Sequence, residues 1–311
     1  VNTAFVHVDL DDLWALGECY GVPIPDSAAG FVYEDALPRF RRLFEEAGIR
    51  ATFFVVGRDL ESPSKSGCLG EMLHAGHSLA NHGYSHALDF RALEEPAISS
   101  EVAKTGRLLR EKLGCVPLGF RAPGYAVSPT LLRVLARQDY AYDSSLMPSP
   151  FGFVFRWLDS RLRRMAGGSR AHAKTQFPRL ADARAPLAPY RVDLESPTRA
   201  DASSPLFELP VAASPLFRLP FQAGVCMRLG RRYFDTHLNA FFLRPETPFI
   251  FLLHGIDLAD LPRLNLPFFN RSRFFSEPAR EKEVAVRHFL NRIQASCNVR
   301  LAEEWIRQEP G

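Results

Sequence analysis

Close cysteine pairs are missing from this 311-residue chain: Cys19, Cys68, Cys115, Cys226 and Cys297 stand singly. That spacing excludes a zinc ribbon or a thioredoxin-like motif and leaves free thiols in a reducing compartment as the expectation. Long hydrophobic runs are also missing, since no apolar stretch reaches the roughly 18 residues of a spanning helix. The N-terminal VNTAFVHVDL has no basic segment followed by a long apolar one, so a secretory signal is not expected and a soluble cytoplasmic enzyme is. Charge of one sign is scarce too. Thirty-eight Lys and Arg against 35 Asp and Glu leave a net charge of +3, too little to imply a nucleic-acid partner without a concentrated basic stripe.

What is present is apolar material for a large core, 46% of the chain, ordered in alternating periods. AFVHVDL reads as a buried strand. DALPRFRRLFEEAGI reads as an amphipathic helix with Leu37, Phe40, Leu43 and Phe44 on one face, and RATFFVVG as a second strand. The alternation continues through a helix at LGEMLHAGH, a strand at SLANH, a helix at EVAKTGRLLREKLG closed by Gly114, a strand and turn at GFRAPG, and a helix starting at Ser128 and Pro129. Repeating β, α units predict a parallel sheet or barrel with helices outside, in a single domain over 1–311. Between about 149 and 220 the periodicity fails and Pro, Arg, Ala and Ser dominate, so an irregular insertion or lid is expected there. The similar runs LFELPV and LFRLPF lead out of it as a pair or as successive strands, followed by the apolar strand PFIFLLHGID and a closing helix EKEVAVRHFLNRIQASC.

Four polar clusters stand where strands end. Asp9, Asp11 and Asp12 follow FVHV; three grouped carboxylates need a cation or a shared proton, unless Asp11 or Asp12 simply caps a helix starting at Leu13. In NHGYSH, His82 and His86 lie four apart. That spacing can aim two imidazoles at one point, and imidazole with carboxylate suits zinc or a similar divalent ion. His74 and His77 read as structural. In FRAPGY, Arg121 is placed to hold a carboxylate bidentately, and Pro123 and Gly124 to turn a backbone N–H toward a site; an ordinary turn with a surface arginine is the alternative. His254 follows the apolar strand FIFLL, as a catalyst or as a satisfied core residue.

Taken in order, these segments resemble the NodB-type polysaccharide deacetylase family, carbohydrate esterase family 4. GHSLANHGYSH is similar to its paired-histidine motif, ATFFVVG to the run at its second strand, FRAPGY to its arginine motif, LARQDYAYDSS to the segment after it, and FLLHGID to its late histidine motif. The resemblance implies a distorted (β/α) barrel and hydrolysis of an N-acetyl group on an amino sugar. It also implies one divalent ion, zinc or alternatively cobalt, nickel or manganese, held by an aspartate with His82 and His86. A second aspartate would be the base, Arg121 its orienting partner, Gly124 and Tyr125 the substrate side, and His254 the acid. Family members with adjacent aspartates would make Asp11 the base and Asp12 the ligand. A D-x-D arrangement would make Asp9 the base and Asp11 the ligand, and it is preferred because residues i and i+2 of a strand share a face. The family's Asp-Trp segment supporting the late histidine is missing, with Asp143 or Asp257 as substitutes.

The segment FGFVFRWLDSRLRRM sets Phe151, Phe155, Trp157, Leu158 and Leu162 among Arg156, Arg161, Arg163 and Arg164, and MRLGRRYF adds Arg228, Arg231 and Arg232. Basic aromatic composition suits a membrane surface or a phosphorylated glycolipid, against a core-facing helix with a solvated basic side. If both stretches are surfaces of that kind, a lipid-linked or phosphorylated amino sugar met at the inner membrane face fits better than a long neutral polymer. An amidohydrolase of the same fold acting on a formamide or cyclic amide, and a non-catalytic sugar-binding descendant, are the rivals.

Overall fold

The computed structural model describes residues 2–87, 90–154, 157, 160–161, 164, 178–243, 247–271 and 275–308. Strand β1, Thr3–Leu10, is its axis. One edge of β1 pairs in parallel with β9, Phe249–His254, over Ala4 to Asp9. The other edge pairs with β2, Thr52–Val55, near its C-terminal end and with β10, Asn298–Val299, near its start. From β2 the sheet runs in parallel through β3, Ser78–Asn81, β4, Gly119–Phe120, and β5, Tyr142–Asp143, to β8, Phe207–Glu208. The chain after β8 then crosses to the far side: Val211 N–H donates to Leu146 O, and Ala212 N–H to Ile250 O in β9. The sheet therefore curls into a distorted β/α barrel closed by the segment from β8 to Ala213.

Alternation along β1 explains the two environments it separates. Val6, Val8 and Leu10 point outward into the main core, where they meet Phe53 and Val55 of β2, Phe251 and Leu253 of β9, and the helices outside. Those helices include α2, Leu37–Ala47, and the long C-terminal α8, Ala279–Ser296. Between them and the sheet lies a run of rings, with Phe234–Phe289 centroids at 4.3 Å and Phe241–Phe249 at 4.4 Å. Each fully buried side chain of this size is worth roughly 1.5–3 kcal/mol. The intervening residues Phe5, His7 and Asp9 point inward. Phe5 packs with Phe54, Ala80, Tyr142 and Ile250, and Trp305 closes this end of the barrel, 5.8 Å from the Phe5 ring. The interior thus runs from apolar, at the strands' N-terminal ends, to polar at their C-terminal ends.

Helix starts follow local chemistry. Ser128 caps α5, Pro129–Arg137, by accepting from Leu131 N–H, with proline at the first position. Ser62 and Pro63 stand in the same order at α3, Pro63–His74, without a side-chain cap bond, and the helix begins six residues before the LGEMLHAGH expected as its start. α4, Glu95–Leu113, ends at Gly114 in the left-handed conformation. Asp12 caps α1, Leu13–Tyr20, the capping role that the sequence left open for it.

Residues 178–220 of the insertion expected over 149–220 carry regular structure. Its chain forms a hairpin of β6, Tyr190–Asp193, and β7, Ser196–Ala200, then the barrel strand β8. Strands of two to five residues are too short to register as an alternation, which hid them in this Pro-, Ala- and Ser-rich composition. Ala213, two residues beyond LFELPV, makes an antiparallel bridge to Pro220 of LFRLPF, while Val211 of the first run bridges Ile250 of β9. Of the basic aromatic segment, Phe155, Arg156, Leu158, Leu162 and Arg163 lie outside the described residues, whereas Phe153 and Trp157 are half exposed with Arg161 stacked 4.9 Å from the Trp157 ring. Among the described residues all five cysteines are free, and no helix is long and apolar enough to cross a membrane.

Gly119 marks how tightly the barrel is filled. A Cβ there would stand 2.1 Å from Cζ of Tyr142, whose ring occupies the space facing the glycine. Gly119→Ala is expected to destabilise the fold by about 1–3 kcal/mol, read as a lower urea midpoint with an unchanged slope.

Candidate active site

The C-terminal ends of the strands bring six of the residues singled out in the sequence into one group. Asp9 ends the inward face of β1 and Asp11 follows it. His82 follows β3, Arg121 follows β4, and His254 ends β9. His86 comes from the loop after β3, with φ of +53°, a left-handed conformation that a non-glycine residue holds at a cost. That loop is pinned from behind: Glu101 of α4 accepts from Tyr84 N–H, Ser85 N–H and the Ser85 hydroxyl, while Gly57 and Arg58 donate to the carbonyls of Gly83 and Tyr84.

Asp11 Oδ1 stands 3.3 Å from His82 Nε2 and 3.4 Å from His86 Nε2, without hydrogen-bonding geometry. Ligand atoms around a tetrahedral ion with bonds near 2.0–2.1 Å stand about 3.3–3.4 Å apart, so the spacing fits a divalent cation. Candidate ligand atoms of the three residues all lie within 4.8 Å of one another. His82 Nδ1 lies 2.7 Å from the Arg121 carbonyl and donates to it, which leaves Nε2 as a lone pair facing Asp11. Burial works against the Asp11 carboxylate, yet the His86 and His82 imidazoles hold it well below the usual carboxylate range. Burial likewise opposes a charged His82, and Asp9 and Asp11 outweigh it and raise its affinity for a proton. The pocket draws positive charge.

Asp9 is held differently. Arg121, with no exposure to solvent, donates from Nη1 to Asp9 Oδ1 at 2.6 Å. The guanidinium is fixed by Nε to Ser144 O at 2.8 Å, by Nη2 to Ser144 Oγ at 2.6 Å and to His7 Nδ1 at 2.9 Å, and by the Phe54 ring 4.1 Å away. The other Asp9 oxygen faces His254, 3.9 Å from Nε2. His254 Nδ1 in turn lies 3.9 Å from Asp257 Oδ2, which also accepts from the His254 backbone N–H at 2.8 Å. Burial disfavours the imidazolium, but Asp257 and Asp9 push the His254 pKa up to about 9.

The structure separates the alternatives that the sequence left open. Asp12 is turned away from the histidines. It accepts from the N–H groups of Leu13, Gly30 and Val32 and pairs with Lys65 at 2.6 Å, and Lys65 is shared with Asp59. A ligand role for Asp12 does not fit this geometry. Asp143 is also elsewhere: fully buried, it accepts from the Ser145 hydroxyl and is raised to about 6 by burial, so the acid beside His254 is Asp257. Gly124 and Tyr125 both adopt left-handed backbone, φ +64° and +60°, which turns the chain over the barrel mouth. The Tyr125 ring packs on Met147, Val211 and Leu252, and its hydroxyl donates to Gln222. His74 bonds the Gly70 carbonyl and His77 accepts from Ala51 N–H, both away from the group. Arg228 lies on the helix Ala223–Leu229, and Arg231 and Arg232 open the helix Arg231–Phe242. Sequence reasoning passed over His7, Ser144 and Glu101. His7 alone carried a signal, since it sits two residues before Asp9 on the inward face of the strand.

Residues 26–142 match the polysaccharide deacetylase family model, a span that holds His82, His86, Arg121, Gly124 and Tyr125 but not Asp9, Asp11 or His254. A peptidoglycan deacetylase of Helicobacter pylori is 31% identical over 150 residues, covering 46% of this chain and 49% of that protein. A peptidoglycan deacetylase-like protein of Gibberella zeae is 28% identical over 127 residues, covering 40% and 36%. The chain therefore spans about half or less of the curated relatives it matches. Among solved structures, a protein of Mycobacterium smegmatis assigned as a polysaccharide deacetylase superposes with a TM-score of 0.60 at 18% identity, covering 98% of this chain and 88% of that one. PuuE allantoinase superposes with a TM-score of 0.60 at 15% identity, covering 98% and 89%, so both share the fold. Residues 26–142 are thus similar to the polysaccharide deacetylase family, and the motifs at Asp9, Asp11 and His254 lie on either side of that match.

Proposed function

We propose that the protein is a metal-dependent hydrolase that removes an N-acetyl group from an amino sugar. The observation that carries this reading is the convergence of Asp11, His82 and His86 beside an Asp9 carboxylate that Arg121 fixes and His254 faces. Two imidazoles and a carboxylate leave coordination positions open, and a divalent ion held there would polarise an amide carbonyl and make a water more acidic. Asp9, oriented by Arg121, takes the proton from the attacking water. His254, protonated at neutral pH because Asp257 and Asp9 stabilise its charge, donates a proton to the leaving amine nitrogen. Acetate and a free amine are the products. The half-exposed Phe153 and Trp157 with Arg161 support a lipid-linked or phosphorylated amino sugar as the acceptor of this chemistry.

The fold is shared with an allantoinase as closely as with a polysaccharide deacetylase. A cyclic amide or a formamide is therefore the second reading. Acetate release from N-acetyl amino sugars, compared with formate release from N-formyl analogues and with ring opening of cyclic amides, separates them. A sugar-binding protein without activity releases nothing from any of these.

Zinc titration is expected to give one tightly bound equivalent, lost in His82→Ala and Asp11→Ala and kept in Asp12→Asn. Retention in His82→Ala would remove the proposed centre. Asp9→Asn is expected to lower kcat by about 10²–10⁴-fold, the usual contribution of a general base, with the metal still bound. The pH profile carries a further signature. The raised pKa of His254 keeps its acid form through neutrality, so kcat holds until the pH passes about 9 and then falls; His254→Gln lowers kcat and removes that basic limb.

A further inference from the structure

The proposed reaction gives work to Asp9, Arg121 and His254 but none to His7, although His7 is fully buried between the base and the floor of the barrel. Its side chain follows from register. Residues 5, 7, 9 and 11 share the inward side of β1 and the turn that continues it, so the strand that presents Asp9 presents His7 one step deeper. The ring lies among Phe54, Phe5 and Tyr142, with centroids at 5.1, 6.4 and 6.4 Å. That packing fixes its plane and puts Nδ1 at 2.9 Å from Arg121 Nη2.

A buried guanidinium must place its N–H groups, and Arg121 places them on Ser144, Asp9 and His7. Ser144 holds one side of the fork. Among the described residues, His7 is the contact that ties Nη2 to the same strand as Asp9. We infer that His7 is a positioning residue: by accepting from Arg121 Nη2 it sets the guanidinium plane, and so the direction in which Nη1 presents its hydrogen to the Asp9 carboxylate. The role requires an imidazole with a lone pair on Nδ1 and its hydrogen on Nε2. Burial and the neighbouring Arg121 both hold His7 well below the usual histidine range, which keeps that lone pair available. A protonated ring would turn an N–H toward a guanidinium and break the contact. The inference rests on the reading of Asp9 as the base.

Two substitutions separate positioning from packing. His7→Phe keeps a ring of similar volume but offers no acceptor, whereas His7→Asn puts an amide oxygen close to where Nδ1 stands. With an N-acetyl amino sugar as substrate, His7→Phe is expected to lower kcat by about 10- to 100-fold, the scale of a small misplacement of a reacting group. KM and the bound-zinc equivalent should stay unchanged, and His7→Asn should recover most of the loss. Native kcat in a folded His7→Phe protein, or a His7→Asn protein no better than His7→Phe, overturns the role. The native protein supplies a test that needs no variant: ¹⁵N NMR of the imidazole should show Nδ1 unprotonated and Nε2 protonated from pH 5 to 8, and a proton on Nδ1 overturns it. Asp9→Asn assayed alongside keeps the two ideas apart. Full activity there sinks the base reading, whereas a dead Asp9→Asn with an active His7→Phe sinks only His7.

Discussion

A guanidinium with no access to solvent sits at the centre of this barrel, and the arrangement of the polar end follows from satisfying it. An isolated buried charge is prohibitively costly, and one paired and fully hydrogen-bonded is tolerable. Arg121 therefore dictates an acceptor from each wall around it. Asp9 and His7 come from β1, the carbonyl and hydroxyl of Ser144 from just beyond β5, and a π face from Phe54 of β2. The same residue's carbonyl fixes His82 through Nδ1. One arginine thus orients both a carboxylate and an imidazole of the site, with its backbone and its side chain acting on different partners.

The three aspartates after β1 show how the chain distributes charge. Asp9 has Arg121, and Asp12 has Lys65 together with three backbone N–H groups. Asp11 has neither lysine nor arginine within ion-pairing distance among the described residues, and meets only two imidazoles. A carboxylate left without a resident cation, facing two imidazoles at the spacing of ligands around one ion, is the electrostatic complement of a divalent metal. Asp12 serves that geometry indirectly, because its cap on α1 and its bonds to Gly30 and Val32 fix the turn from which Asp11 projects.

The β, α alternation of the first half, the strand-end positions of His82, Arg121 and His254, and the shared face of Asp9 and Asp11 were legible because each rests on local periodicity. The Lys65 partner that turns Asp12 away from the histidines was not, since Lys65 lies 53 residues from Asp12 and nothing in the local pattern announces their pairing. Glu101 was invisible for the same reason: it reads as one more polar residue on α4, and only the fold sets it under the His82–His86 loop. Strand β8, from which the chain runs on to close the barrel at Val211, has two residues, too few for any period to show. Asp257 lies three residues after His254 and Asp143 more than a hundred before it, yet both were candidates, because proximity in a barrel depends on which strand ends face one another.

The most direct test of the account is anomalous diffraction at the zinc edge from crystals of the native protein grown with zinc. A single strong peak between Asp11, His82 and His86, within bonding distance of all three, is the predicted result. A peak liganded by Asp12, or no peak in this pocket while zinc binds elsewhere, would contradict it.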